Sequence, residues 1–242
     1  MKLVIFDCDG TLVDSQDMIC AAMRQAFEAN GLLVPARERL LGVVGLSLPI
    51  AFARLAEDSG DGLAYQVERL VAAYRDAFSV LRAAPDDLEP LYPGARAAVV
   101  ALAGRPDTVL GMATGKSQRG ARRVLDRHGL GDCFVTIHTS DDAPSKPHPG
   151  MVLAAMAVTG ATPHETLMVG DTTFDIEMAR AAGARGIGVT WGYHRPEALV
   201  RVGATAMIEH FDELEAAIDR IWATSPVSTE PTLPLPAGER VG

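Results

Sequence analysis

Asp7-Cys8-Asp9-Gly10-Thr11-Leu12-Val13-Asp14 follows directly on Lys2-Leu3-Val4-Ile5-Phe6. The apolar run has the length of a buried strand, so two carboxylates emerge together at a strand end. Alternation along a strand returns Asp7 and Asp9 to one side and turns Cys8 into the sheet as a spacer. Gly10 permits a sharp turn away from the sheet. Like charges this close repel unless a cation or a shared proton compensates them. The residue types therefore call for a metal site, an acid/base site, or both.

Outward from this stretch the pattern changes. Ile19, Ala22, Met23, Ala26 and Phe27 recur at helical spacing, and Gly31 ends that helix. Arg37 to Leu41 reads as a short helix, and Ser47 can cap another running toward Asp58. Leu63, Val67, Leu70, Val71, Tyr74, Phe78 and Leu81 mark a long amphipathic helix. No strand pattern appears between about 15 and 88. From Tyr92 onward helices and strands alternate. Val109 to Ala113 is a strand ending in Thr114-Gly115, and a helix follows over about Ser117 to His128. A strand near Val135 to His138 leads to the loop Pro144-Ser145-Lys146-Pro147-His148-Pro149. There Pro147 can open a helix, with His148 in its first turn, that ends near Gly160. Thr166 to Val169 is a strand ending in Gly170-Asp171-Thr172-Thr173-Phe174-Asp175. Such alternation predicts an α/β fold, a Rossmann-like parallel sheet with right-handed crossovers and reactive residues at its C-terminal edge. The expected division is an α/β core over 1–14 and 89–224, an inserted helical cap over 15–88, and a flexible Pro-rich tail over 225–242.

With 242 residues and a net charge of -9, the chain is large enough for a core and too acidic for nonspecific nucleic-acid binding. No apolar stretch approaches a membrane span, and the short opening run argues against a signal peptide. Cys8, Cys20 and Cys133 are scattered and lack paired spacing, so a reduced cytoplasm is the expected location. A monomer or homodimer with no membrane or nucleic-acid partner is expected. There are only three lysines, Lys2, Lys116 and Lys146, so any function needing an ammonium group has few candidates.

The four strand-end segments, in this order, resemble the motifs of the haloacid dehalogenase superfamily, over roughly residues 1–222. The helical insertion matches that family's cap of the type placed after the first motif. The spelling is most similar to the phosphoglycolate phosphatase branch. The resemblance implies a Mg2+-dependent phosphatase acting on a small phosphorylated metabolite, phosphoglycolate-like or a sugar phosphate. Asp7 would be the nucleophile that forms an aspartyl phosphate. Asp9 would be the acid/base that serves the leaving oxygen and then the attacking water. Asp7, the main-chain carbonyl of Asp9, and Asp171 would hold the metal. Asp175, one helical turn beyond Asp171, would act through a water on the metal or by orienting Lys146. Thr114, Gly115 and Lys146 would clamp the phosphoryl group. Lys116 either contacts substrate or simply opens a helix. Trp191 and Tyr193 either line the site or pack in the core or at its rim.

The same resemblance sets the alternatives. Dehalogenases lack the second aspartate, since a departing halide needs no proton. Asp9 therefore favours phosphoryl chemistry. A sugar-phosphate mutase of the beta-phosphoglucomutase type would use the same aspartates, but those relatives carry an arginine in the cap loop. Here that loop, Gly42-Val43-Val44-Gly45-Leu46-Ser47-Leu48-Pro49, is uncharged. A phosphonoacetaldehyde hydrolase needs a cap lysine, and none lies in 15–88. A non-catalytic binding module would be free to lose Asp7, Asp9 or Lys146, and all are present. A substrate carboxylate would want an arginine, and Arg39 and Arg54, which flank the cap loop, are the candidates to select it.

Overall fold

The computed structural model describes residues 1–56, 64–83 and 89–224. Six parallel strands form one sheet: β1 (Lys2–Phe6), β2 (Thr108–Thr114), β3 (Phe134–Thr139), β4 (Thr166–Gly170), β5 (Arg185–Val189) and β6 (Ala206–Ile208), in the order β3-β2-β1-β4-β5-β6. Buried parallel strands read as apolar runs, as β1 and β4 do, whereas the edge strand β3 carries Thr136 and His138 and is only partly buried. Around them run α5 (Ala95–Ala103), α6 (Gln118–Arg127), α7 (Gly150–Thr159), α8 (Thr173–Ala181), α9 (Pro196–Arg201) and α10 (Leu214–Ala223). These numbers leave α1 (Gln16–Ala29), α2 (Arg37–Leu41), α3 (Leu48–Ala56) and α4 (Ala64–Arg82) for the segment between β1 and the rest of the sheet. Among the described residues no helix is long and apolar enough to cross a membrane.

Side-chain alternation on β1 divides the core in two. Val4, Phe6 and Cys8 join a cluster on one face, with Val99, Leu102, Met112, Ile187 and Ile218. Leu3 and Ile5 join the other, with Met151, Val152, Met168 and Met178. Each fully buried side chain of this size is worth about 1.5–3 kcal/mol. A third cluster belongs to α1–α4. Phe27, Phe52, Tyr74 and Phe78 run through it with successive ring centroids 6.0, 5.8 and 5.5 Å apart. Phe174, the second residue of α8, is buried in that helical cluster and joins it to the sheet.

The topology locates the site. The chain lays β2 and β3 on one side of β1, then returns to place β4 on its other side. The two neighbours of β1 therefore carry their following segments away in opposite directions. A crevice opens at the C-terminal ends of β1 and β4, the standard ligand position of such sheets. Asp7 stands at that end of β1 and Asp171 at that end of β4.

Two expectations need correction. Pro147 does not open α7. The Lys146–Pro147 peptide is cis, and the helix begins at Gly150, after Pro149. His148 is therefore in the loop rather than the first turn; its Nδ1 accepts the Gly150 N–H at 3.1 Å, and its own N–H donates to the Ser145 carbonyl. Nor does Lys116 open α6. Ser117 is the cap, its hydroxyl accepting the Gly120 N–H at 3.2 Å, which leaves the Lys116 side chain available elsewhere. Asp58, Leu63 and the 225–242 tail lie outside the described residues.

Candidate active site

Asp7 is held at the end of β1 by its own N–H, which donates to the Val169 carbonyl at 3.0 Å. Gly10 then turns the chain with φ +78°, and a Cβ there would lie 2.3 Å from an Asp171 carboxylate oxygen. The glycine thus meets two demands at once, a left-handed backbone and close approach to a carboxylate. Asp171 is fixed by two donors: the Thr11 hydroxyl reaches Oδ1 at 2.9 Å and the Tyr193 N–H reaches Oδ2 at 2.8 Å. Gly192 allows that second approach, because a Cβ there would sit 2.0 Å from the Asp171 Cβ.

Lys146 lies wholly buried among carboxylates. Its Nζ is 2.9 Å from Asp7 Oδ1 and 2.7 Å from Asp175 Oδ1. Asp175 has its other oxygen engaged by the Thr172 hydroxyl at 2.7 Å and the Thr172 N–H at 3.1 Å, a capping box that opens α8. One aspartate therefore both starts the helix and aims the lysine. Burial opposes charge on Lys146, but Asp175 and Asp7 outweigh it and raise its pKa. The structure thus brings Asp7, Lys146, Asp171 and Asp175 together.

These residues fit a hard divalent cation. One oxygen from each of Asp7, Asp171 and Asp175 lies within 4.8 Å of the others. Asp7 Oδ2 is buried with no hydrogen-bond partner among the described residues. An orphaned carboxylate oxygen in an all-oxygen donor set, with three carboxylates facing one ammonium group, is the chemistry that Mg2+ satisfies. Asp175 enters this cluster but already spends both oxygens on Lys146 and Thr172. Asp9 does not enter it through its side chain.

The proton balance follows. Burial pushes the Asp7 carboxyl up to about 7 from an ordinary 3.8, with Lys146 pulling the other way and Asp175 and Asp9 adding to the rise. Burial, with Asp175 and Asp7 close by, raises Asp171 well above its ordinary value. A carboxyl whose folded pKa is raised contributes stability below its unfolded pKa and loses it as pH rises through the folded one. The metal-free protein should therefore lose stability between about pH 4 and about pH 7, and a cation that displaces the proton should restore it. Thermal melts with and without Mg2+ are expected to show a larger metal-induced rise in Tm at about pH 8 than at about pH 5.5. An equal rise at both would remove Asp7 from the metal set.

Asp9 belongs to a second charge cluster. Its Oδ1 accepts from the Ser15 hydroxyl and lies 2.9 Å from Lys116 Nζ, which is also 2.8 Å from Glu89 Oε1. Burial opposes the Lys116 charge, and Asp9 and Glu89 outweigh it. Tyr193 closes the group, its hydroxyl 3.2 Å from the Ser15 hydroxyl. Sequence reasoning missed Ser15, Glu89 and this role for Lys116. The scarcity of lysine was the available signal for Lys116; Ser15 and Glu89 had none. Trp191 packs against the sheet core, its ring centroid 4.7 Å from that of Phe211, and donates to the Thr11 carbonyl at 3.1 Å.

Asp7, Asp9, Thr114, Gly115 and Lys116 line a cavity of about 450 Å³. Thr114 accepts the Lys116 N–H at 3.2 Å, which orders the strand-end loop. At Gly115 a Cβ would stand 2.6 Å from the Gly45 carbonyl and 2.8 Å from that of Leu46. The cap loop thus closes directly over the strand-end loop, and the Ser47 N–H reaches the Ser145 hydroxyl at 2.8 Å. The expected selectors are elsewhere. Arg54 stacks on Phe174 with its guanidinium 5.0 Å from the ring centroid, and neither it nor Arg39 lines the cavity. Flanking the cap loop in sequence does not place a side chain inside, because α3 turns its basic edge outward. Arg75, Arg82, Arg119 and Arg123 line the cavity instead.

Comparison with known proteins agrees with this geometry. The model of the haloacid dehalogenase-like hydrolases matches residues 1–183. The probable phosphatase IndB of Dickeya dadantii is 36% identical over 231 residues, 93% of this chain and 98% of that protein. The phosphoglycolate phosphatase of Rhodospirillum rubrum is 32% identical over 240 residues, 95% of this chain and 99% of that protein. The crystal structure of a hydrolase from Pseudomonas syringae superposes with a TM-score of 0.80 at 29% identity, covering 91% of this chain and 99% of that one.

Proposed function

The chain belongs to the haloacid dehalogenase-like hydrolases and is a phosphoric monoester hydrolase, and from that premise we propose that it hydrolyses a small phosphorylated metabolite through an aspartyl phosphate on Asp7, with Mg2+ as cofactor. The observation that carries this reading is the Asp7 carboxylate. It stands at the sheet's crevice, faces the cavity, and has one oxygen on Lys146 and the other without a partner among the described residues.

In this reading Asp7 attacks phosphorus, and the bond from phosphorus to the leaving oxygen breaks. Asp9 gives its proton to that oxygen. A water then passes a proton to the Asp9 carboxylate while its oxygen attacks phosphorus, releasing phosphate and freeing Asp7. Lys146 and the Thr114 hydroxyl oppose the charge that develops on the phosphoryl oxygens. Asp175 holds Lys146 in place, and Ser15, Lys116 and Tyr193 hold Asp9. Mg2+, carried by Asp7, Asp171 and the Asp9 carbonyl, would supply Lewis-acid charge to the same oxygens. Residues 15–88 act as the cap that shuts the cavity from water, and the cap loop over Gly115 is the point of closure.

Phosphate release from p-nitrophenyl phosphate is expected to require Mg2+ and to stop with excess chelator. Ca2+ should substitute poorly, because its larger and looser coordination misplaces the attacking carboxylate. Full activity in chelator would overturn the metal assignment and leave the fold assignment untouched.

A further inference from the structure

The cavity that holds Asp7 and Asp9 is larger than a phosphoryl group needs. At about 450 Å³ it falls within the range of roughly 300–1,000 Å³ typical of pockets that enclose drug-sized ligands. Its wall beyond the reacting carboxylates is apolar and aromatic, with Met23, Val43, Leu46, Tyr74 and Phe78. It then becomes strongly basic. α4 contributes Arg82, one turn beyond Phe78, and α6 contributes Arg119 and Arg123, four residues apart and so on one helix face. Lys116 Nζ lies 5.4 Å from the Phe78 ring centroid and the Arg82 guanidinium 5.9 Å from the same centroid. A path through Asp9, Lys116, Phe78 and Arg82 therefore leads from the reacting end to the arginines.

The charges on this wall are unequally matched. Asp7 pairs with Lys146, Asp9 and Glu89 share Lys116, and Asp141 accepts the Gln118 N–H at 2.7 Å. None of Arg82, Arg119 and Arg123 makes an ion pair among the described residues. Burial, with Arg123 and Arg119 close by, lowers the Arg82 pKa despite Glu89. Guanidinium groups gathered from two elements, with no ion-paired acid among the described residues, can receive an anion, and their planar forks suit carboxylate and phosphate oxygens alike.

We propose that Arg82, Arg119 and Arg123 form a second anion subsite, so that the substrate is a phosphomonoester whose leaving group carries a distal carboxylate or phosphate beyond an apolar middle. This rests on the phosphatase reading above and narrows it. Because the subsite joins α4 to α6, the distal anion also ties the cap to the sheet domain as the cavity closes.

The test uses three aryl phosphates on the full chain with Mg2+: 4-(methoxycarbonyl)phenyl phosphate, 4-carboxyphenyl phosphate and 1,4-phenylene bisphosphate. The first is neutral at the far end and the other two are anionic, one by carboxylate and one by phosphate. Wild-type KM is expected to be lower for an anionic probe by about tenfold or more, the scale of one charged hydrogen bond. Which of the two gains more identifies the anion. Arg82→Gln and Arg123→Gln should each cut the anionic-to-neutral ratio of kcat/KM by about tenfold, while Arg122→Gln, exposed and off the cavity wall, should keep it. A wild-type ratio near unity, or one that all three variants share, overturns the subsite even if every ester is hydrolysed. If no ester is hydrolysed, the phosphatase reading falls separately. Calorimetric binding of the same probes then decides the subsite: loss of the anionic preference in Arg123→Gln supports it, and equal binding overturns it.

Discussion

Asp7→Asn is expected to bring phosphate release below about one hundredth of the wild-type rate, because an amide cannot form the phosphoenzyme. The protein should stay folded. Asp7 is buried, is crowded by two other carboxylates, and holds one oxygen without a partner among the described residues. An uncharged amide relieves that desolvation and repulsion while keeping the shape, so the metal-free Tm should hold or rise at about pH 8. Turnover and a thermal melt on one sample separate the two effects. Activity above about one hundredth of wild type would rule out the covalent route.

Lys146→Ala should damage both chemistry and fold. Removing the ammonium group takes away a cation that touches both Asp7 and Asp175. Loss of a preorganised donor to developing phosphoryl charge costs about 10²–10³ in kcat, and it should do so on every phosphoester, since all share that group. Breaking a buried ion pair from one side costs about 3–5 kcal/mol, which urea unfolding at about pH 8 would read. The destabilisation should shrink toward about pH 6, where Asp7 takes up its proton. A loss confined to one substrate would instead make Lys146 a specificity residue.

How much of this was legible in the sequence depends on how local each signal is. The parallel sheet and its strand ends could be read because apolar runs and their following turn residues are contiguous. Asp7, Asp171 and Lys146 were legible for the same reason: each sits beside its own strand end or in a loop with a distinctive spelling. The pairing of Lys146 with Asp175 was open as one of two roles, and the capping box at Thr172 decides how that aspartate is used. Lys116 stayed open between two roles because the sequence cannot show that Ser117 caps α6 while Glu89 and Asp9 converge on the lysine from distant segments. The cavity-lining arginines were not legible for a related reason. Arg54 and Arg82 are both basic residues late in amphipathic helices, and only the packing of α3 and α4 determines which one faces the cavity and which stacks on Phe174.

The covalent role of Asp7 can be tested most directly with Asp9→Asn and p-nitrophenyl phosphate. That leaving group departs without a proton, so the first step survives the variant, while hydrolysis of the phosphoenzyme lacks its base. The intermediate should then accumulate. Acid quench, borohydride reduction and peptide mass spectrometry should find homoserine at position 7 and nowhere else. Unmodified Asp7 in a sample that has released a stoichiometric burst of p-nitrophenol would contradict the account.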